Sequence, residues 1–134
     1  PMPYLQFDGK KNFDINLEVY IKPENSQASK VCQSNFKFLY WNMAQQLAHH
    51  TVNGCNINAG DMFASGTISG PTKDSYGSML ELSWGGKNPI KLESGETRSF
   101  IEDFDTIIIK GHCEKNGIRV GFGEVRSQLL PCEY

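Results

Sequence analysis

Between residues 14 and 21 the chain reads Asp, Ile, Asn, Leu, Glu, Val, Tyr, Ile. This alternation puts Ile15, Leu17, Val19 and Ile21 on one face and mainly polar groups on the other, which predicts a strand with one wet side. Residues 22–29 are polar or small and include Pro23, so a loop is expected before Ser34 or Asn35 caps a helix. Phe36, Leu39, Tyr40, Met43 and Leu47 then recur at i, i+3, i+4, i+7 and i+11, the spacing of one helical stripe, with Lys37, Gln45 and Gln46 elsewhere on the wheel. Asn53-Gly54 is a natural stop for that helix.

Past residue 54 the sequence changes character. Many glycines and short apolar runs separated by turn residues predict strands and loops to the end. Residues 79–84 alternate Leu80, Leu82 and Trp84 against Met79, Glu81 and Ser83, again a strand pattern. Ile107-Ile108-Ile109 and residues 118–125 flank Lys115-Asn116-Gly117, where Asn-Gly supplies the two positive φ angles of a tight hairpin turn. No internal repeat, low-complexity tract or long linker divides the chain. The expected fold is a single β-rich unit with one main α-helix, a mixed α+β class.

Length and charge narrow the function. The 134 residues, 39% hydrophobic and 21% charged, suit one domain of ordinary size and exclude a multidomain enzyme within this chain. Lys plus Arg against Asp plus Glu gives 13 − 15 = −2, and Lys10-Lys11 is the only adjacent basic pair, so nucleic acid is not an expected partner. The longest apolar run is Phe38-Leu39-Tyr40-Trp41, whereas a membrane span needs about 20 residues and a secretory core about 7 to 15, so neither membrane nor export is expected. Cys32, Cys55, Cys113 and Cys132 are widely spaced, without a C-x-x-C pair, and are expected to be reduced thiols of a cytoplasmic protein. The chain opens Pro1-Met2, which raises the expectation of a trimmed or cut N-terminus.

No H-E-x-x-H, P-loop or G-x-S-x-G elbow is present. The run Gly121-Phe-Gly123-Glu-Val-Arg126 begins like a dinucleotide fingerprint, but Arg126 stands at its third glycine and no helix pattern follows. Two segments invite chemistry. Residues 60–71, GDMFASGTISGP, set Ser65, Thr67 and Ser69 among glycines, so hydroxyl and backbone groups could approach a carboxylate or oxyanion closely; the plain alternative is a strand ending in a turn. Glu81 falls on the wet side of the residue 79–84 pattern, close in sequence to the Ser83 hydroxyl, and its plain alternative is a solvated carboxylate. His49 and His50 follow the helical stripe and suit packing or capping better than metal or base roles, and His112 has no carboxylate partner in its spacing.

Taken in order, residues 14–22 (DINLEVYIK), 34–55 (SNFKFLYWNMAQQLAHHTVNGC), 60–71, 76–84 (YGSMLELSW) and 119–124 (RVGFGE) closely resemble the fumarylacetoacetase family. The resemblance spans nearly the whole chain, yet it covers only the C-terminal third of the family's pattern. It implies part of a mixed β-roll in a homodimer that hydrolyses a C–C bond of 4-fumarylacetoacetate to fumarate and acetoacetate, the last step of tyrosine and phenylalanine breakdown. It further implies a calcium or magnesium ion held by carboxylates, and a His–Glu dyad that activates water. Matched residue by residue, the dyad glutamate falls on Glu81, and the substrate-contacting threonine falls on Thr67 with Gly66 beside it.

By the same resemblance the dyad histidine, the metal carboxylates and most substrate-binding residues belong upstream of Pro1, so this chain should hold no metal ligands. Residues 1–134 are thus expected to be the C-terminal part of a catalytic domain, as a fragment, a cleavage product or a truncated chain, and to be inactive alone. The upstream part of the same enzyme is then an expected partner. The competing reading is a non-catalytic β-roll module that binds a small carboxylate or serves to dimerise.

Overall fold

The computed structural model describes residues 1–9 and 12–132, so the Lys10-Lys11 pair lies outside the described residues. Four antiparallel strands form the main sheet: β1 (Asn16–Lys22), β2 (Ser29–Asn35), β5 (Thr106–Lys115) and β6 (Ile118–Gln128), in the order β2-β1-β5-β6. Between β2 and β5 lie helix α1 (Met43–Thr51), a one-turn helix α2 (Met79–Leu82) and a short ribbon of β3 (Ile90–Lys91) with β4 (Thr97–Arg98). Antiparallel sheets with one main helix make this a mixed α+β fold, as the sequence predicts.

The alternation in β1 produces the expected two faces. Val19 and Ile21 sit opposite Ile109 and Ile107 on β5, while Cys32 and Ser34 on β2 sit opposite Val19 and Leu17. Ile21 is 1% exposed, a burial that contributes about 1.5 to 3 kcal/mol relative to an exposed side chain. At the hairpin, Asn116 and Gly117 have φ of 53° and 76°, and Lys115 pairs with Ile118 across the turn, as Asn-Gly requires.

Farther along that hairpin a single residue of β5, Gly111, opposes two of β6, Phe122 and Gly123, a β-bulge with Gly123 at φ 79°. The extra residue shifts the side-chain alternation by one. Ile118, Val120, Phe122 and Val125 therefore all share the face of Val19 and Ile21, and Glu124 turns to the other side, where it pairs with Lys110 at 3.6 Å.

Two expectations from periodicity are corrected. The helix does not begin near Ser34 or Asn35: residues 29–35 are strand β2, Phe36–Phe38 form a single 3-10 turn, and α1 starts only at Met43. Asn42 accepts from the Gln45 amide at 2.8 Å, and the Gln45 side chain accepts from the Asn42 amide at 3.0 Å, a capping box that fixes this later start. The stripe of Phe36, Leu39 and Tyr40 thus lies ahead of the helix. The end is as expected, with Gly54 at φ 89° donating to the Thr51 carbonyl.

Residues 79–84 are likewise not a strand. Ser78 caps the single turn α2, which buries Leu82 in the core and leaves Leu80 and Trp84 exposed, so these three do not share one face. Nor are residues 60–70 a strand: they pair in no ladder, and Gly60 and Gly66 hold positive φ of 98° and 75°.

A clamp closes the open end of the β5–β6 hairpin. Buried Arg98 donates from Nε to Asp105 Oδ2 at 2.8 Å and from Nη2 to Oδ1 at 2.9 Å, with Glu96 and Glu102 also paired to it. Burial acts to raise the Asp105 pKa, but the Arg98 hydrogen bonds and the Glu102 amide outweigh it and hold the carboxyl below its usual range. Backbone bonds of Asp105 and Phe104 with Leu129 tie this clamp to the end of β6.

Candidate functional site

The apolar face of β1 and β5 is partly covered by the segment that carries the candidate residues. Tyr76, Gly77, Ser78, Met79 and Leu82 line a cavity of about 310 Å³ with Val19, Ile21, Cys32, Ile107 and Ile109. The segment's shape comes from side-chain hydroxyls instead of a ladder. Ser34 on β2 donates to the Ile68 carbonyl at 2.8 Å, and Ser75 donates to the Thr72 carbonyl while the Thr72 amide donates to Ser75. Gly77 has no room for a side chain: a Cβ there would stand 2.7 Å from the Ile68 oxygen and 2.8 Å from Thr67 Cγ2. This close approach lays residues 67–69 directly beside residues 76–78.

Glu81 lies half-buried where these two stretches meet. Its Oε2 accepts from Ser69 Oγ at 2.7 Å and from Ser78 Oγ at 2.8 Å, so the carboxylate is anchored and not merely solvated. Ser83, its expected neighbour, instead donates to the Met79 carbonyl at 2.8 Å and accepts from the Gly86 amide. Among the described residues no donor reaches Glu81 Oε1. Glu81 also lines a more open cavity of about 460 Å³ with Tyr76, Leu80, Trp84 and Gly85. Trp84 holds φ of 50°, in the left-handed region uncommon for a large side chain, and is exposed beside this cavity.

Thr67 is exposed, with its methyl against Gly77, two residues from the serine that donates to Glu81. Gly66 has φ of 75°, which favours glycine, and a Cβ there would meet no atom within 4 Å. Thr67 and Glu81, far apart in the sequence, are thus brought to neighbouring stretches of one surface. An apolar hollow of about 480 Å³ lies at the other end of the segment, lined by Phe36, Met43, Leu47, Ile57, Phe63 and Ser65 among others.

The histidines serve local packing. His49 Nδ1 is 3.1 Å from the Tyr4 hydroxyl with the rings stacked, His50 meets Phe63 edge to face, and His112 Nε2 is 3.4 Å from Asn16 Nδ2. Cys32 is a buried thiol whose pKa is raised, chiefly by burial, and Cys55 is exposed. Among the described residues no group of three His, Cys, Asp or Glu side chains is placed to hold a metal ion. The densest acidic stretch, residues 102–105, commits Asp105 to Arg98, so its oxygens do not fit a cation site. No described helix is long and apolar enough to cross a membrane.

Ser78 was accessible from the sequence as the first residue of an S-x-x-E cap preceding an apolar pair. Ser69 lay within the glycine-rich stretch, but its link to Glu81 twelve residues on is set by the Gly77 contact and has no local signal.

Fold and surface together define a mixed α+β unit that presents one anchored carboxylate beside an open cavity. Residues 5–129 match the fumarylacetoacetate (FAA) hydrolase C-terminal family, and the chain belongs to that family. It is 55% identical to the fumarylacetoacetase of Homo sapiens over 132 residues, which are 98% of this chain and 32% of that protein. Against the fumarylacetoacetase of Dictyostelium discoideum it is 55% identical over 136 residues, 99% of this chain and 32% of that protein. The fumarylacetoacetase of Arabidopsis thaliana is 49% identical over 132 residues, 98% of this chain and 31% of that protein. The chain therefore spans about a third of the length of the relatives it matches.

Proposed function

We propose that this chain is the C-terminal part of a fumarylacetoacetase catalytic domain, contributing to the hydrolysis of a C–C bond in 4-fumarylacetoacetate to yield fumarate and acetoacetate in tyrosine and phenylalanine breakdown. The observation that carries the reading is 55% identity over nearly the whole chain to proteins of that name. An anchored carboxylate at the position matched to the dyad glutamate supports it. In this reading Glu81 accepts the N–H of an imidazole from the remaining two thirds of the enzyme. It fixes the ring's orientation and stabilises the imidazolium formed as that histidine takes a proton from the attacking water. The uncommitted Oε1 is the oxygen available for that bond.

Thr67 offers a hydroxyl, and Gly66 an unobstructed backbone, to an oxygen of the substrate. The calcium or magnesium ion that the family resemblance implies does not fit the described residues, so its ligands are assigned to the rest of the enzyme and no step of the mechanism is derived through it. A homodimer in the cytoplasm completes the proposal.

The test is Glu81→Gln in the complete polypeptide, which keeps the shape and removes the charge. We expect kcat to fall by about 10² to 10⁴-fold with folding preserved. Near-normal turnover would return Glu81 to a structural carboxylate. The 134 residues alone should neither turn over 4-fumarylacetoacetate nor bind calcium or magnesium tightly, because groups that act as a unit lose most of their effect together.

A further inference from the structure

We infer that Ser69 and Ser78 are positioning residues that load one oxygen of Glu81 so that the other is held free for catalysis. The inference rests on the dyad role given to Glu81 above and extends it to two residues for which no role has been assigned.

The argument follows the protons. A serine hydroxyl has one hydrogen to give and lone pairs to receive. Ser69 Oγ receives the Gly77 amide hydrogen at 3.1 Å, and Ser78 Oγ receives the Glu81 amide hydrogen at 3.3 Å. With a backbone donor on each oxygen, the hydroxyl hydrogens turn away from those amides. Both turn to the same acceptor, Glu81 Oε2, at 2.7 and 2.8 Å.

Two charge-assisted donors on one oxygen, arriving from different stretches of chain, fix the rotation of the carboxylate about its last torsion. Oε1 is left with its lone pairs unclaimed among the described residues. One serine comes from the glycine-rich stretch and the other from the cap of α2, so the carboxylate also reports the alignment of the two strips that Gly77 presses together. A carboxylate serving only as a brace would gain from donors on both oxygens. The asymmetry is what a group that must orient a partner through one oxygen requires.

The experiment uses the complete polypeptide with 4-fumarylacetoacetate as substrate and measures kcat and KM separately. Ser69→Ala and Ser78→Ala should each lower kcat about tenfold with KM nearly unchanged, the usual size for losing a residue that orients a catalytic group. Ser78→Thr, which keeps both the cap and the hydroxyl, should recover turnover to within about threefold of the parent. In a Glu81→Gln background, adding either alanine should change kcat by less than about twofold, because the group the serine holds has already lost its function.

An alanine that costs as much in that background as alone acts independently of Glu81 and would overturn the inference. So would serine variants that turn over like the parent while Glu81→Gln is crippled, and this pattern leaves the dyad reading intact. Normal turnover of Glu81→Gln itself would remove the dyad reading and this inference together. Should Ser69→Ala fail to fold, Ser78→Ala and Ser78→Thr decide the matter, since Ser78 donates to the same oxygen.

Discussion

Two regions share the apolar face of the sheet and are built on opposite terms. The β5–β6 hairpin is long and bound by a ladder interrupted at the Gly111 bulge, yet its apolar stripe of Ile118, Val120, Phe122 and Val125 is exposed, Ile118 at 70%. Residues 66–84 hold only a 3-10 turn and the single turn α2, yet they line a cavity against the buried Ile21 and Cys32 and are tied by serine hydroxyls reaching across 3 to 34 residues. A ladder gives a rigid element wherever the backbone is extended. A hydroxyl network gives a defined position to particular side chains, and it fails when any one contact is displaced. The first suits a scaffold and the second suits a site, so substitutions in the two regions should separate stability from turnover.

The largest stability effect is expected at the clamp that closes the hairpin. Asp105→Asn leaves Arg98 buried with a weakened partner and should cost about 3 kcal/mol by urea denaturation of the complete polypeptide. A cost below about 1 kcal/mol would show that Glu96 and Glu102 suffice to hold Arg98. The pH dependence follows from the lowered Asp105 pKa, in which the Arg98 and Glu102 bonds outweigh burial. A carboxyl lower in the folded chain than in the unfolded one contributes fully above its unfolded pKa of about 3.9, and the contribution is lost as pH falls through the folded value. Parent and variant should therefore differ in full above about pH 4.5, and the difference should shrink as pH falls below the unfolded value, vanishing only once the pH has passed the lowered folded one. Asp14, Glu18 and Glu124 are also lowered, chiefly by hydrogen bonds from Asn35, Tyr20 and Arg126, so the difference between the two proteins isolates Asp105.

Next in size is Gly77→Ala, aimed at the hydroxyl-bound region. The added methyl would press on the Ile68 carbonyl, which is backbone and cannot swing aside. We expect about 1 to 3 kcal/mol of destabilisation and, because Thr67 and Ser69 move with that carbonyl, about a 10 to 100-fold fall in kcat/KM. Unaltered turnover would mean that the registration of the two strips does not set the site.

How much of this was legible in the sequence divides along the same line. The β1 alternation and the Asn116-Gly117 turn were readable because period two and positive φ are local demands. The hydrophobic stripe beginning at Phe36 misled because Phe36 packs from the end of β2, while the helix proper starts at the capping box of Asn42 and Gln45. Residues 79–84 misled because six residues cannot separate a strand from one helical turn by alternation, although Ser78 and Glu81 at cap spacing point to the turn. Glu81 and Thr67 stood out in the residue pattern, and their roles entered through family resemblance. What joined them, the pressing of Gly77 on residues 67–68, is a tertiary contact with no periodic trace.

In the hairpin, Gly117→Ala should cost about 1 to 2 kcal/mol, because φ of 76° is unfavourable for any residue with a Cβ. Turnover should stay normal, since the turn lies outside the segment that carries Glu81 and Thr67. A fall in kcat that matches Gly77→Ala would erase the distinction between scaffold and site.

The smallest effect sharpens the comparison most. Gly121 lies in the same hairpin, paired with His112 on the face opposite the apolar stripe, with no positive φ and no atom within 4 Å of a Cβ built there. A strand glycine in ordinary extended geometry carries more unfolded-state freedom than alanine, and this favours the substituted chain by a few tenths of a kcal/mol. Gly121→Ala in the complete polypeptide should therefore be neutral or stabilising by about 0.5 kcal/mol, with kcat and KM unchanged. The contrast with Gly77 isolates environment, since both exchanges add one methyl to a glycine. A loss above about 2 kcal/mol would require a neighbour packed against Gly121 that the described residues do not supply. The face of the hairpin opposite the apolar stripe would then be a buried seam with the rest of the enzyme, and the hairpin's independence from the site would no longer hold.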